Sequence, residues 1–191
     1  MRIAKVLAAL AFLMTPALAD ADRRVPPGEA LMPTPIAPVL FHHLDSFDDL
    51  WELRPVSAPK DLPGLPSDRW YALGDYFNHA FLLCCGRQGI RLHLPEDGFP
   101  LLGTIPLDVK PGMTWTSRRT YFKANFPAPL SCRCTADRID VGAESRDTLR
   151  VDFLSSRKNV HQSIWFAPGV GLLRWTNPHF GTIERWSGRR S

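Results

Sequence analysis

From Asp68 onward apolar side chains recur at every second position, the spacing that places them on one face of a sheet. Phe77, Phe81 and Leu83 mark a first strand; Ile90, Leu92 and Leu94 mark a second, with Arg91 and His93 between them. Gly86-Arg87-Gln88-Gly89 is the turn that joins the two. Pro95-Glu96-Asp97-Gly98 ends the second strand, and Pro111-Gly112 opens a third that runs from Met113 to about Asn125. Later, Leu149, Val151 and Phe153 alternate with Arg150 and Asp152, and Val160, Gln162, Ile164 and Phe166 alternate with His161, Ser163 and Trp165. Gly171 to Thr176 and Gly181 to Ser187 form a closing hairpin across Asn177-Pro178-His179-Phe180. Many short strands with turn punctuation predict a mainly β fold: a single antiparallel β-sheet over residues 68–188, barrel-like or curled.

The preceding stretch, residues 20–67, reads differently. Nine of the 18 prolines fall between Val25 and Pro66, and each removes a backbone donor and fixes φ. A Pro-rich N-terminal arm without regular structure is expected over most of it. The exception is one short helix near 46–53, where Ser46 and Asp49 have N-cap spacing and Phe47, Leu50 and Trp51 fall at i, i+3 and i+4.

Ahead of the arm, Arg2 and Lys5 precede the apolar run Val6 to Met14, and Thr15-Pro16-Ala17-Leu18-Ala19 ends in the small-x-small pattern of a cleavable leader. Residues 1–19 are therefore read as a signal peptide, with the mature protein beginning at Asp20 in the periplasm or secreted. A membrane anchor is the competing reading, but the run is about half the roughly 20 residues needed to span a bilayer. The first cysteine is Cys84, so no lipid acceptor follows the cleavage point. Losing Arg2 and Lys5 leaves 21 basic residues against 19 acidic ones. That balance, with Arg118-Arg119, Arg157-Lys158 and Arg189-Arg190 scattered, excludes the concentrated basic face that nucleic-acid binding needs.

Three stretches resemble a loosely defined set of uncharacterised exported bacterial proteins grouped under domains of unknown function. They are Leu73-Gly74-Asp75-Tyr76-Phe77, the run from Pro106 to Thr116 with Pro111-Gly112 and Trp115, and the closing turn Trp165-Phe166-Ala167-Pro168-Gly169-Val170-Gly171-Leu172. The chain departs from that pattern at Gly142-Ala143-Glu144-Ser145-Arg146. The resemblance implies a β-rich fold and export, with no established activity. Read from the residues alone, Pro168, Gly169 and Gly171 form a structural turn: Pro168 pre-sets one corner and the two glycines supply positions of positive φ.

Cys84-Cys85 and Cys132-Arg133-Cys134 are the four cysteines. In an oxidising compartment they are disulfide candidates, with at least one bridge expected between the clusters. Closing a loop of almost fifty residues stabilises by about 3 to 4 kcal/mol in the chain-entropy model. In regular strands Cys132 and Cys134 share a face while Cys84 and Cys85 point to opposite faces, so two bridges require a bulge or a Cys85 already in the turn. Two sharper readings compete. A soft metal on four thiolates lacks the usual two-residue gap between ligands. A redox-active disulfide lacks the Cys-x-x-Cys of thioredoxin-like sites.

His42-His43-Leu44-Asp45 with Asp48 and Asp49 gathers metal-ligand types, but adjacent groups on proline-flanked backbone fit polar capping better. Trp165, His161 and His179 are candidates to line a cleft, against the plainer reading of partly exposed histidines with structural hydrogen bonds. The chain holds no Gly-x-Ser-x-Gly elbow, His-Glu-x-x-His, phosphate loop or dinucleotide fingerprint. The sequence thus predicts no cofactor, no metal and no membrane span. It points to an exported β-domain with a structural, binding or assembly role in the envelope, its partner an envelope protein or an apolar ligand. The alternatives are metal-handling or thiol-redox work by the four cysteines, and a hydrolase with a dispersed site gathering His93, His161 or His179 near a carboxylate.

Overall fold

A computed structural model describes residues 32, 38–45, 50–60, 62, 67–75, 79–94, 101–117, 129–154, 160–178 and 180–187. The leader, residues 46–49 and His179 lie outside the described residues. Twelve strands form one antiparallel sheet: β1 (Val39–His43), β2 (Leu50–Val56), β3 (Arg69–Gly74), β4 (His79–Gly86), β5 (Gly89–His93), β6 (Leu101–Ile105), β7 (Thr114–Ser117), β8 (Leu130–Val141), β9 (Glu144–Leu154), β10 (Val160–Ala167), β11 (Gly171–Asn177) and β12 (Gly181–Arg185). Their order is β6-β5-β4-β3-β2-β1-β12-β11-β10-β9-β8-β7. Each half of the chain is a meander of sequence neighbours. The two halves join where β1 pairs with β12, Phe41 opposite Arg185 and His43 opposite Ile183.

At the other end of this order, β6 and β7 come side by side and nearly close the sheet into a barrel. Side chains make the described junction. Ser117 Oγ accepts the Thr104 N–H at 2.7 Å, and Trp115 Nε1 donates to the Thr104 carbonyl at 2.9 Å. Both main-chain groups of Thr104 are thereby satisfied, as buried backbone requires.

The inner face carries the core that period two predicts. Phe41, Leu53, Tyr71, Leu73, Phe81, Leu83, Ile90, Leu92, Val151, Phe153, Ile164, Phe166, Trp175 and Ile183 belong to one buried cluster, which Met32 of the Pro-rich arm joins. The outer face is charged: Arg54, Arg91, Arg150 and Asp152 follow or precede inward residues on their strands.

The predicted turn at 86–89, the alternation on β9 and β10 and the closing hairpin of β11 and β12 match the structure. The expected helix near 46–53 does not: its described part, from Leu50, is strand β2. Trp51 and Leu53 turn toward the core while Leu50 is exposed, a period-two pattern that pairing with Phe41 and Val39 imposes. The sheet consequently begins within the Pro-rich arm, at Val39. The third expected strand is described only as far as Ser117, and β3, which ends at Leu73-Gly74, precedes the first strand the alternation predicts. Pro168 to Gly171 is the β10–β11 turn, with Gly169 and Gly171 at φ of 73° and 94° and Val170 N–H donating to the Ala167 carbonyl.

Candidate functional site

The hairpin of β8 and β9 is the longest in the sheet, and its distal half carries a second apolar cluster. Ile139 and Val141 pack with Trp165, Ala167 and Leu173, and Val170 lies against them. A bulge makes this contact. Trp165 pairs with Arg174 but Phe166 pairs with Leu172, so Leu173 is an extra residue on β11 and breaks the alternation there. Polar contacts hold the arrangement: Trp165 Nε1 donates to Asp137 Oδ2 at 2.8 Å, and Arg174 donates to the Asp140 carbonyl and pairs with Glu184. The guanidinium groups of Arg150 and Arg174 lie 5.2 and 5.8 Å from the Trp165 ring centre.

Beside the hairpin tip is a cavity of about 420 Å³, within the range of small-molecule sites. Val141, Val170, Leu173 and Trp186 give it apolar wall, and Glu144, Arg146 and Arg185 give it charge. Gly142 makes the close approach of tip to wall. Its φ is +60°, and a Cβ there would fall 2.2 Å from Ser187 Oγ.

The two arginines differ. Arg146 pairs with Glu144, whereas Arg185 donates to the Val170 carbonyl at 3.1 Å and pairs with no carboxylate among the described residues. Burial, then the like charge of Arg146, push the Arg185 pKa below its ordinary value. The cavity thus carries surplus positive charge on a mostly polar surface, with an apolar side formed by Val141, Val170, Leu173 and Trp186. None of Cys84, Cys85, Cys132, Cys134, His93 or His161 is in its described lining.

A separate network surrounds Asp152, whose side chain is 1% exposed. It accepts from Arg133 Nε at 2.9 Å, Arg150 Nε at 2.7 Å and Ser163 Oγ at 2.6 Å. Burial works to raise its pKa, but the hydrogen bonds from Ser163, Arg150 and Arg133 outweigh it and hold the carboxyl below its ordinary value.

The cysteines take the faces that strand geometry predicts. Cys85, Cys132 and Cys134 are in the inner core, and Cys84 packs outside with Trp70, Ala72 and Leu82. All four are free thiols, and the bridge expected between the clusters is not formed in this structure. Nor does β4 bulge at the pair, since Cys84 and Cys85 stay in register with Arg91 and Ile90. Burial pushes the thiols up from 9.0, to about 11 for Cys84 and Cys134 and about 12 for Cys85 and Cys132. At Cys84 the Arg91 guanidinium, 2.8 Å from the sulfur, opposes that rise without cancelling it. Such thiols are poor nucleophiles and metal ligands in the folded state.

Of the histidine groups, Asp48, Asp49, His179 and the side chain of His161 lie outside what is described. His42 and His43 are consecutive on β1 and face opposite ways, with His43 edge-on to Trp51 at 5.0 Å. His93 stacks on Trp70 outside the barrel. His161 has its main chain in β10, and Trp165 is committed to Asp137, Arg150 and Arg174. Among the described residues no three of His, Cys, Asp and Glu converge as metal ligands. No described helix is long and apolar enough to cross a membrane. Arg185 and Trp186 carry no local sequence signal, and Arg146 stands out only as the end of Gly142–Arg146, where the chain departs from the pattern it otherwise resembles; the adjacent pair Leu172-Leu173, which breaks period two, was the available sign of the bulge beside them.

No family model matches the chain. No curated protein matches it. Among solved structures, a Bacteroides fragilis protein named "putative exported protein with YMCC-like fold" is similar over 78% of this chain and 92% of its own, at 13% identity and a TM-score of 0.37.

Proposed function

We propose that the chain is an exported β-module of the bacterial cell envelope, periplasmic or secreted, with a non-catalytic binding or assembly role. The observation that carries this reading is the cavity at the β8–β9 tip, which offers some apolar wall and unneutralised positive charge. The packed inner face supports it, because the barrel interior is filled by its own core and leaves recognition to the outside. The outer face supports an aqueous setting. An arginine on the lipid side of a membrane barrel costs about 2–4 kcal/mol at the bilayer midplane, and here Arg91, Arg133, Arg150 and Arg174 are engaged with Asp68, Asp152 and Glu184 on that side. The partner is an envelope protein or a ligand with apolar surface. Export rests on the leader that ends at Ala19.

The test is expression of the full chain with a C-terminal tag, followed by fractionation, amino-terminal sequencing and crosslinking in envelope extracts. The expected result is a mature protein beginning at Asp20, outside the cytoplasm, crosslinked to an envelope component. Cytoplasmic retention of the uncleaved chain would overturn the export half. Turnover of a small substrate, with neither protein nor lipid captured, would overturn the non-catalytic half.

A further inference from the structure

The cavity at the β8–β9 tip combines three features that a merely structural gap does not need together. Val141, Val170 and Leu173 line one side of it, Leu173 brought there by a bulge that interrupts an otherwise regular ladder, while the rest of its surface is polar. Its charged lining is two arginines against one glutamate, and that glutamate is already paired with Arg146. Its other arginine, Arg185, is partly withdrawn from water beside a like charge, with a single described hydrogen bond to a neutral carbonyl.

A guanidinium has five N–H donors in a planar fork suited to oxyanions, and leaving it desolvated beside a second cation is unfavourable until an anion enters. We infer that this cavity binds an amphiphilic oxyanion, a carboxylate or phosphate group carried on a short apolar body, with Arg185 as the principal anion-reading residue, Arg146 as its helper, and Val141, Val170, Leu173 and Trp186 receiving the apolar part. The inference rests on the binding role proposed above and names its ligand class. Glu144 has a defined part in it. By pairing with Arg146 it limits the surplus charge and selects against ligands of higher negative charge, so removing it strengthens binding of the dianion more than of the monoanion.

The test uses the mature protein and three probes of equal chain length: decanoate, decyl phosphate and decanol, each below its aggregation threshold, with Trp fluorescence and calorimetry as readouts. Both anions are expected to bind at least ten-fold more tightly than decanol, with affinity falling as salt rises. R185Q is expected to weaken both anions ten-fold or more and to leave decanol unchanged, R185K to retain part of the affinity, and R146Q to weaken them by a smaller factor. Circular dichroism checks that each variant is folded. R146Q, on a residue whose side chain is 40% exposed, keeps the inference testable should R185Q fail to fold. Comparing decanoate with decyl phosphate in wild type and E144Q distinguishes a carboxylate source from a phosphate one. Equal affinity for decanol and the anions, no binding of any probe, or anion binding indifferent to both arginines would overturn the inference. Capture of an envelope protein by crosslinking alongside any of these results would leave the broader binding role standing.

Discussion

Replacing Asp152 by asparagine keeps the shape of the side chain and removes its charge, which isolates what the carboxylate contributes to the outer face. Three donors converge on it, from Arg133, Arg150 and Ser163. An asparagine offers one acceptor oxygen where the carboxylate offers two, and it turns an NH₂ group toward a donor. Breaking one side of a buried ion pair costs about 3–5 kcal/mol. The arginine side chains here are 46% and 33% exposed, so water takes back part of that and the lower end applies, about 3 kcal/mol. That corresponds to roughly a hundredfold in the folding equilibrium and a fall in Tm of roughly 6–12 °C.

The pH dependence follows from the direction of the shift. Because the folded carboxyl titrates below its unfolded value, its stabilisation is complete above about pH 4 and is lost as pH falls through the folded value. Urea titrations of wild type and D152N, followed by tryptophan fluorescence at pH 7 and again below pH 3, are the assay. The gap between the two proteins is expected to be wide at pH 7 and to narrow in acid. A gap under about 1 kcal/mol at pH 7 would refute the reasoning, as would one that persists undiminished in acid.

Ser117→Ala leaves the Thr104 N–H without its acceptor and is expected to cost about 1–3 kcal/mol, with faster amide exchange at Thr104 than elsewhere on β6. Gly142→Ala forces a side chain into positive φ and against Ser187; about 1–2 kcal/mol of destabilisation is expected, together with loss of anion binding in the probe assay. Native protein at pH 8 is expected to react slowly with a thiol reagent and, unfolded without reductant, to yield four thiols per chain; two or none would mean that the strands are cross-linked. Since the folded thiols titrate above their ordinary 9.0, the stability they contribute is present below that pH and falls as it rises toward 11 and 12; alkaline melting curves of wild type against Cys85→Ala check this.

Where period two was clean the sheet could be read directly, as for Ile90 and Leu92 on β5 or Ile164 and Phe166 on β10. β2 escaped because Leu50 and Trp51 fit a helical spacing with Phe47, and only pairing with β1, a tertiary fact, decides for strand. β6, with Leu101 and Leu102 adjacent and a register shift opposite Leu92 and His93, shows no alternation to read. The cavity was illegible for a different reason. Arg146 stands in the β8–β9 hairpin, Leu173 in a bulge of β11 and Arg185 at the end of β12, and no local motif announces residues brought together by the curl of one hairpin over another. The faces of the four cysteines, by contrast, followed from strand geometry alone.

The side-chain seam between β6 and β7 bears on how the molecule could be taken apart. Among the described residues every backbone ladder but one joins strands adjacent in sequence, and the exception, β1 with β12, ties the two meanders together at the side opposite the seam. Severing the peptide chain between Pro106 and Lys110 would break no described ladder. It would yield two six-stranded pieces, each with its own complete set of hairpins, able to recognise one another along β1 and β12 and through the shared core. The protein is in this sense a natural candidate for split-fragment complementation, in which reassembly of the halves reports on whatever brings them together.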